Sequence, residues 1–418
     1  MAHDSDVSMC SDRRTFLQAG AVAAAACVTQ ASQAQDARPA ADKPVAVVPR
    51  RVLGKTGVEI TMVEQGAVRG SNLDLILRHA FASGIRTFDT AKVYGSEPNF
   101  KKWFDQSPEV RKQIFLVTKD NPKKPSDLLK QIDKRLETLG TDYIDLFFVH
   151  GLGDEHSLDK AIDFVKSQEF KETADALRKS GKTKFVGFSC HHRHRGQILQ
   201  AAADAGVVDA IMVQYRPWLD KESELNRALD ACHKKGIGLI SMKQVAGQFF
   251  LERGQKTALE EVKTRIPMTM LEEKKITVFQ GLLYAIWSDE RISSICVSMR
   301  NIEQIRENTD AARRFEPLKE AEIHQLRDAS IAFGSTLCAD CDGRCSTAAG
   351  TTAALGDLTR FLTYHQHLGD RTEARQQYAA LSPEARDWSG ADLEAARAAC
   401  PNKLDFARLM PEVDRHLA

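Results

Sequence analysis

The strongest constraint on the fold is a repeated alternation of strand and helix patterns between residues 50 and 315. Short runs rich in β-branched and aromatic residues alternate with longer segments whose apolar residues recur at helical spacing. This alternation predicts a parallel sheet in which helices connect successive strands. The predicted strands are residues 60–68, 86–91, 115–119, 143–150, 184–189, 210–215, 238–243 and 294–299.

Two α/β folds fit this alternation. Eight strand–helix units are the number that closes a (β/α)8 TIM barrel. An open doubly wound sheet is the alternative, but such sheets usually carry the pattern G-x-G-x-x-G after the first strand. Residues 65–70 read QGAVRG and lack the full pattern. We therefore predict the TIM barrel, with residues 51–60 as an N-terminal hairpin that caps its bottom.

Composition excludes several other classes of protein. Hydrophobic residues make up 43% and charged residues 28% of the 418 positions, which is typical of globular proteins and excludes a wholly disordered chain. The formal net charge of +1 argues against a nucleic-acid partner. We also predict no transmembrane segment, because no apolar run reaches the roughly 18 residues that a spanning helix needs.

The first 34 residues resemble an export signal. Arg13 and Arg14 precede an apolar run at residues 19–28, and small residues follow. This order is that of secretory signals, and the paired arginines resemble a twin-arginine signal. We expect cleavage after Ala34, contact with the twin-arginine export machinery and a periplasmic location. The alternatives are an ordinary mobile terminus and a lipid anchor at Cys27.

Four reactive side chains are predicted at the C-terminal ends of barrel strands, where barrel enzymes place their chemistry. Asp89 ends the second predicted strand, Tyr94 lies in the next loop, and Lys119 and His150 end the third and fourth strands. A tyrosine hydroxyl is a weak acid at neutral pH, but a nearby ammonium lowers its pKa. Each residue alone is more typical of a buried core. Together they suit protonation of a carbonyl oxygen, with His150 orienting that oxygen.

These segments resemble the aldo-keto reductases. The runs FDTAKVYG, VTKD and DLFFVHG follow one another in the family's order, and RVLGKTGVEIT is similar to its N-terminal hairpin. The resemblance covers residues 50–315. It implies NAD(P)H-dependent interconversion of a small carbonyl compound and its alcohol, with a catalytic tetrad of Asp89, Tyr94, Lys119 and His150.

The same resemblance implies a set of cofactor-binding positions. Ser189 and Gln214 stand where the family binds the nicotinamide carboxamide, although Cys190 replaces a usual asparagine. Met242 stands where many members have an aromatic residue that stacks on the nicotinamide. The positions implied around the adenosine phosphate and adenine are Ser298, Arg300, Gln304 and Asn308. Ser298 and Gln304 replace basic residues that many members use to bind the 2′-phosphate of NADP(H). The cofactor is therefore expected to be either NADP(H) or NAD(H).

Four of the nine cysteines form a pattern beyond the barrel. Cys338, Cys341 and Cys345 are closely spaced, and Cys400 precedes a proline. This set resembles the ligands of a 4Fe–4S cluster, although three residues rather than two separate the second and third cysteines. Four thiolates can instead hold structural zinc, and an exported chain can form two disulfides from them.

A subgroup of aldo-keto reductases carries a C-terminal cysteine-rich extension, and the run RFLTYHQHLGDRTEARQQYAAL is similar to it. We therefore predict a signal at 1–34, a linker at 35–49, the barrel at 50–315 and a small helical iron–sulfur extension at 316–418. The extension implies an electron-transfer partner or a purely structural role. The alternative function is a nucleotide-binding or electron-transfer module that has no turnover.

Overall fold

The computed structural model describes residues 47–66, 73–153, 157–243, 269–332, 338, 341–368 and 371–418. The predicted export signal, including Arg13, Arg14, Cys27 and Ala34, and most of the predicted linker lie outside these residues. Among the helices that the structure describes, none has both the length and the apolar character needed to cross a bilayer.

A two-stranded antiparallel hairpin precedes the barrel, which confirms the predicted N-terminal hairpin. Its strands are β1 (Arg50–Val52) and β2 (Glu59–Thr61). Leu53, at the turn, is fully buried. A Cβ atom on Gly238, at the start of a barrel strand, would collide with Leu53 Cδ1. The hairpin therefore closes the end of the barrel at which the strands begin.

The predicted barrel is also confirmed, because eight parallel strands close on themselves in the order β10-β3-β4-β5-β6-β7-β8-β9. The predicted strand at 60–68 divides into β2 and the first barrel strand. The barrel strands are β3 (Val63–Gln65), β4 (Thr87–Asp89), β5 (Phe115–Asp120), β6 (Ile144–Val149), β7 (Thr183–Cys190), β8 (Ala210–Gln214), β9 (Gly238–Met242) and β10 (Ile292–Val297).

Amphipathic helices follow the strands. The first of them buries Leu73, Leu77 and Ala80, which recur at the spacing of one helix face. A further helix lies between the fourth and fifth barrel strands, where Ser157 caps it and Phe164 is buried on its apolar face. The helices up to residue 332 are α1 (Leu73–Ala82), α2 (Glu97–Gln106), α3 (Leu128–Leu139), α4 (Leu158–Lys166), α5 (Gln168–Lys179), α6 (Arg195–Ala205), α7 (Glu224–Lys234), α8 (Thr269–Lys274), α9 (Val278–Trp287), α10 (Ile302–Arg313) and α11 (Glu320–Ala332).

The C-terminal extension is helical and has an apolar cluster of its own, which includes Leu358, Leu362, Phe406 and Met410. A short π-helical turn, Tyr364–Leu368, directly follows its second helix. Within the predicted extension at 316–418, α11 contributes Leu326 to the apolar core that surrounds the barrel. The helices that follow it are α12 (Arg344–Ala348), α13 (Leu355–Thr363), α14 (Arg371–Ala379), α15 (Pro383–Arg386), α16 (Leu393–Ala399) and α17 (Phe406–Leu417).

The barrel interior changes from apolar to charged toward the ends of the strands. An apolar cluster that includes Leu53, Val117 and Phe148 fills the interior. Asp89 and Lys119, at the ends of β4 and β5, are 3% and 1% exposed and form an ion pair. Lys119 Nζ also donates a hydrogen bond to the Thr90 carbonyl oxygen at 3.0 Å. Burial of two charges is costly, so their pairing is required for the interior to tolerate them.

Glu64 is a second buried carboxyl group beside this ion pair. It lies on β3, is fully buried and pairs across the sheet with Cys296 of β10. Burial and the charge of Asp89 raise the pKa of Glu64 to about 8. Burial by itself would lower the pKa of Lys119, but the negative charge of Asp89 outweighs burial, and the pKa is raised. Burial also raises the pKa of Asp89, although the Lys119 ammonium opposes that shift. One cation cannot offset two buried carboxylates, and Lys119 forms its ion pair with Asp89, so we assign the proton at neutral pH to Glu64.

The raised pKa of Glu64 predicts a specific pH dependence of stability. A carboxyl whose pKa rises on folding lowers the free energy of unfolding as the pH climbs from its unfolded value to its folded value. For Glu64 this interval runs from 4.5 to about 8. We expect wild type to lose up to about 1.4 kcal/mol of unfolding free energy per pH unit in this interval relative to Glu64→Gln, which has no such proton.

Urea unfolding of both proteins at several pH values across this interval measures the difference. Glu109→Gln is the matched control, because the Glu109 side chain is 78% exposed. Parallel pH profiles for wild type and Glu64→Gln would contradict the assigned protonation.

Candidate active site

Tyr94 and His150 face each other at the C-terminal end of the barrel. Tyr94 ends a short 3-10 helix after β4, and His150 directly follows β6. The Tyr94 hydroxyl lies 3.2 Å from His150 Nε2. The two rings meet edge to face with centroids 5.4 Å apart. This distance allows a hydrogen bond, in which the tautomer of the histidine decides which group donates.

The ion pair in the barrel interior brings a cation close to this tyrosine. Lys119 Nζ lies 5.6 Å from the centroid of the Tyr94 ring and forms its ion pair with Asp89. A positive charge near a phenol favours the phenolate form. The structure thus brings together all four residues that the sequence predicted as a tetrad, in the order Asp89, Lys119, Tyr94 and His150.

A buried ionic network fixes the strand ends on which these residues lie. Arg135 of α3 forms ion pairs with Glu97 at 2.8 Å and with Asp120 at 3.3 Å. The Asp120 carbonyl oxygen accepts a hydrogen bond from the His150 backbone nitrogen at 2.9 Å. The sequence reasoning missed this network, because its members lie on different helices and strands and follow no motif.

The predicted carboxamide-binding residues lie on two adjacent strands. Ser189 Oγ accepts a hydrogen bond from the Gly151 backbone nitrogen at 2.9 Å. Gln214, at the end of β8, is 1% exposed, and its Nε2 atom has no hydrogen-bond partner among the described residues. Cys190 Sγ donates to the Leu152 carbonyl oxygen at 3.3 Å. Its thiol therefore bonds to the backbone of the loop after β6.

The remaining predicted cofactor positions lie at the end of β9 and in the segment from the end of β10 into α10. Met242 ends β9 and is half-buried against the apolar interior of the barrel. Ser298 and Arg300 are exposed between β10 and α10, and Asn308 is buried on α10. Gln304 Oε1 accepts a hydrogen bond from the Arg300 backbone nitrogen at 2.7 Å. In this structure Gln304 therefore helps to cap α10, and a cofactor role for it stays a prediction.

A small cavity lies beside His150 and is lined by Asn121, Pro122 and the turn at residues 151–153. Asn121 Oδ1 is buried there and has no hydrogen-bond partner among the described residues. A larger groove of about 920 Å³ lies between α2 and α3 and reaches Tyr143, which precedes β6. It is at the opposite end of the barrel from the tetrad, so the smaller cavity is the one relevant to chemistry.

Two residues that the sequence did not predict also reach this end of the barrel. Tyr364 of the extension donates a hydrogen bond through its hydroxyl to Gln214 Oε1 at 2.8 Å. Lys243, directly after β9, places Nζ 4.6 Å from the centroid of the Tyr364 ring. No local signal could have revealed this contact, since 150 positions separate Tyr364 from Gln214.

Cys341, Cys345 and Cys400 of the extension are buried in the structure, and Cys338 is partly exposed. Burial, together with Cys345 and Cys400 nearby, raises the pKa of Cys341 to about 11. Cys338 Sγ lies 3.1 Å from where a Cβ atom on Gly356 would be. Within the described residues, no three His, Cys, Asp or Glu side chains form a group that could hold a metal ion. A cluster at these cysteines therefore stays a prediction.

Comparisons with known proteins agree with this geometry. The model of the Aldo/keto reductase family matches residues 62–331. L-galactose dehydrogenase of Arabidopsis thaliana is 29% identical over 296 residues, which cover 64% of this chain and 89% of that protein. The NADP(+) aldo-keto reductase yakc of Schizosaccharomyces pombe is 28% identical over 198 residues, which cover 44% of this chain and 54% of that protein.

Among solved structures, the thermostable aldo-keto reductase Tm1743 shares the fold. It aligns with a TM-score of 0.53 and 23% identity, over 67% of this chain and 99% of that one. The family model matches well over half of the chain and includes every barrel strand. The chain therefore belongs to the aldo/keto reductase family.

Proposed function

We propose that this chain is an NAD(P)H-dependent oxidoreductase that interconverts a small carbonyl compound and its alcohol. The observation that carries this proposal is the 3.2 Å contact between the Tyr94 hydroxyl and His150 Nε2, beside a lysine paired with Asp89. Membership of the family supports the reaction class. Two relatives, L-galactose dehydrogenase of Arabidopsis thaliana and the NADP(+) aldo-keto reductase of Schizosaccharomyces pombe, point in the same direction.

The end of β8 offers a group that fits a nicotinamide cofactor. Gln214 Nε2 is a buried donor without a hydrogen-bond partner among the described residues. Such a donor is unfavourable unless a ligand supplies an acceptor, and a carboxamide oxygen is one. Ser189 on the adjacent strand carries a second polar group that is 2% exposed. The bound cofactor, NADPH or NADH, would supply the hydride.

The chain's own residues would handle the proton. In the reductive direction, the Tyr94 hydroxyl donates its proton to the carbonyl oxygen and becomes a phenolate. The Lys119 ammonium stabilises that phenolate, and Asp89 holds the ammonium in place. His150 Nε2 orients the same oxygen by a hydrogen bond. In the oxidative direction, the Tyr94 phenolate accepts the proton of the alcohol.

Tyr94→Phe tests this assignment. We expect turnover of a reactive probe such as 4-nitrobenzaldehyde to fall at least about 100-fold, because the proton donor is lost. We expect the affinity for NADPH and NADH, measured by fluorescence titration, to stay unchanged. Tyr143→Phe is the matched control, since Tyr143 precedes β6 at the opposite end of the barrel.

Full turnover by Tyr94→Phe would overturn the role of this residue. Tight nucleotide binding by wild type without turnover of any carbonyl would instead favour the module that binds nucleotide and has no turnover.

We further propose that Cys338, Cys341, Cys345 and Cys400, within an extension of residues 316–418, bind a 4Fe–4S cluster. Burial raises the pKa of the Cys341 and Cys345 thiols, and Cys400 is close to both. Thiols with raised pKa values stay protonated at neutral pH unless a bound metal displaces their protons, so a cluster here would have to supply that energy on binding. The side chains as described do not converge on one ion. No step of the reaction is therefore assigned to a cluster or to an electron-transfer partner.

Metal analysis of the anaerobically purified chain tests the cluster. We expect about four iron and four sulfide per chain, since all four thiolates would ligate the iron. Cys341→Ala is expected to lose the iron, whereas Cys232→Ala, buried on α7, is expected to keep it. Zinc in place of iron would replace the cluster with a structural zinc site. Loss of free thiols without any metal would replace it with disulfides.

We also propose export to the periplasm by the twin-arginine route. Arg13 and Arg14 before an apolar run support this, and they lie outside the described residues. Replacement of both by lysine is expected to retain the chain in the cytoplasm of a host that has this pathway, as measured by cell fractionation. Arg38→Lys in the predicted linker is the control. An unchanged periplasmic fraction of the double variant would contradict the proposal.

A further inference from the structure

The extension contacts the loops at the C-terminal end of the barrel through charged groups. Asp357 of α13 forms an ion pair with Arg193, after β7, at 3.0 Å. Arg344 of α12 forms an ion pair with Asp220, after β8, at 2.7 Å. These contacts hold α12 and α13 against the strand ends that carry the predicted carboxamide-binding residues.

Tyr364 extends this contact into the barrel mouth. It directly follows α13, at the start of the π-helical turn, and is 1% exposed. His191 meets its ring edge to face, with centroids 5.8 Å apart. Lys243 Nζ lies 4.6 Å from the ring centroid, and the hydroxyl bonds to Gln214. One tyrosine of the extension thus contacts residues at the ends of β7, β8 and β9.

The hydrogen bond to Tyr364 has a consequence for the Gln214 amide. The Tyr364 hydroxyl donates a hydrogen bond to Gln214 Oε1 at 2.8 Å, and this bond fixes the orientation of the amide through its oxygen atom. Its donor end, Nε2, is buried and has no hydrogen-bond partner among the described residues. A side chain that is held in advance loses less conformational entropy when a ligand binds to its donor.

We propose that Tyr364 is a positioning residue of the nucleotide site, which orients Gln214 so that its amide nitrogen meets the cofactor carboxamide. The C-terminal extension is then a structural part of that site and is required for full cofactor affinity. This inference rests on the proposed function, in which Gln214 binds the nicotinamide.

A double-mutant cycle on the full chain tests the proposal. NADPH and NADH are titrated into wild type, Tyr364→Phe, Gln214→Ala and the double variant. We expect Tyr364→Phe to weaken the tighter nucleotide about tenfold, which is the effect of losing one buried hydrogen bond. In the Gln214→Ala background, Tyr364→Phe is expected to have no further effect, because the amide that it orients is gone.

Kinetics separate positioning from a general loss of structure. Tyr364→Phe is expected to raise KM for the nucleotide while kcat stays within about twofold, because the proton donor is untouched. Tyr378→Phe is the matched control, since Tyr378 is a buried tyrosine of the extension's own apolar cluster. Should Tyr364→Phe fail to fold, Asp357→Asn, which breaks the ion pair that holds α13 against Arg193, is expected to weaken nucleotide binding in wild type and to have no further effect in the Gln214→Ala background.

Equal affinities of wild type and Tyr364→Phe would overturn the proposal, and so would independent, additive losses in the cycle. If wild type bound neither nucleotide, the proposed function itself would fail, and the inference with it. That outcome is distinct, because it appears in wild type before any substitution is made.

Discussion

The ion pair between Lys119 and Asp89 is the interaction on which the site depends. Both side chains lie inside the barrel, where an unpaired charge would be strongly unfavourable. Closure of the barrel places β4 beside β5, so the two residues meet at adjacent strand ends. The pair then fixes a cation beside the Tyr94 ring, and the chemistry proposed for that tyrosine follows from this charge.

The charge balance around this pair also involves Glu64. A protonated Glu64 leaves one carboxylate and one ammonium in the barrel interior, which is the least costly arrangement of these three groups. When the pH rises past about 8, a second negative charge forms next to Lys119. The environment of Tyr94 is thus coupled to a fully buried carboxyl group on a different strand.

The C-terminal extension forms part of the barrel mouth, because Tyr364 contacts the end of β8. Sequence patterns suggest two separable parts, a reductase barrel and a cysteine-rich tail. The hydrogen bond from Tyr364 to Gln214 joins the two parts. Tyr364 belongs to the tail, and it is almost fully buried where the tail meets the barrel. Activity of the barrel and integrity of the tail are therefore expected to depend on each other.

The sequence by itself determined the barrel, and it was sufficient to predict four residues that the structure brings together at the C-terminal end of the strands. Strand and helix patterns are local, and Asp89, Lys119 and His150 could be predicted because each stands at the end of a strand, where parallel strands share one edge. Only the tertiary structure decided that Glu64 lies beside Asp89, that Arg135 bridges Glu97 and Asp120, and that Tyr364 reaches Gln214. These contacts join residues far apart in the chain, and barrel closure and helix packing set their distances, which no local pattern encodes.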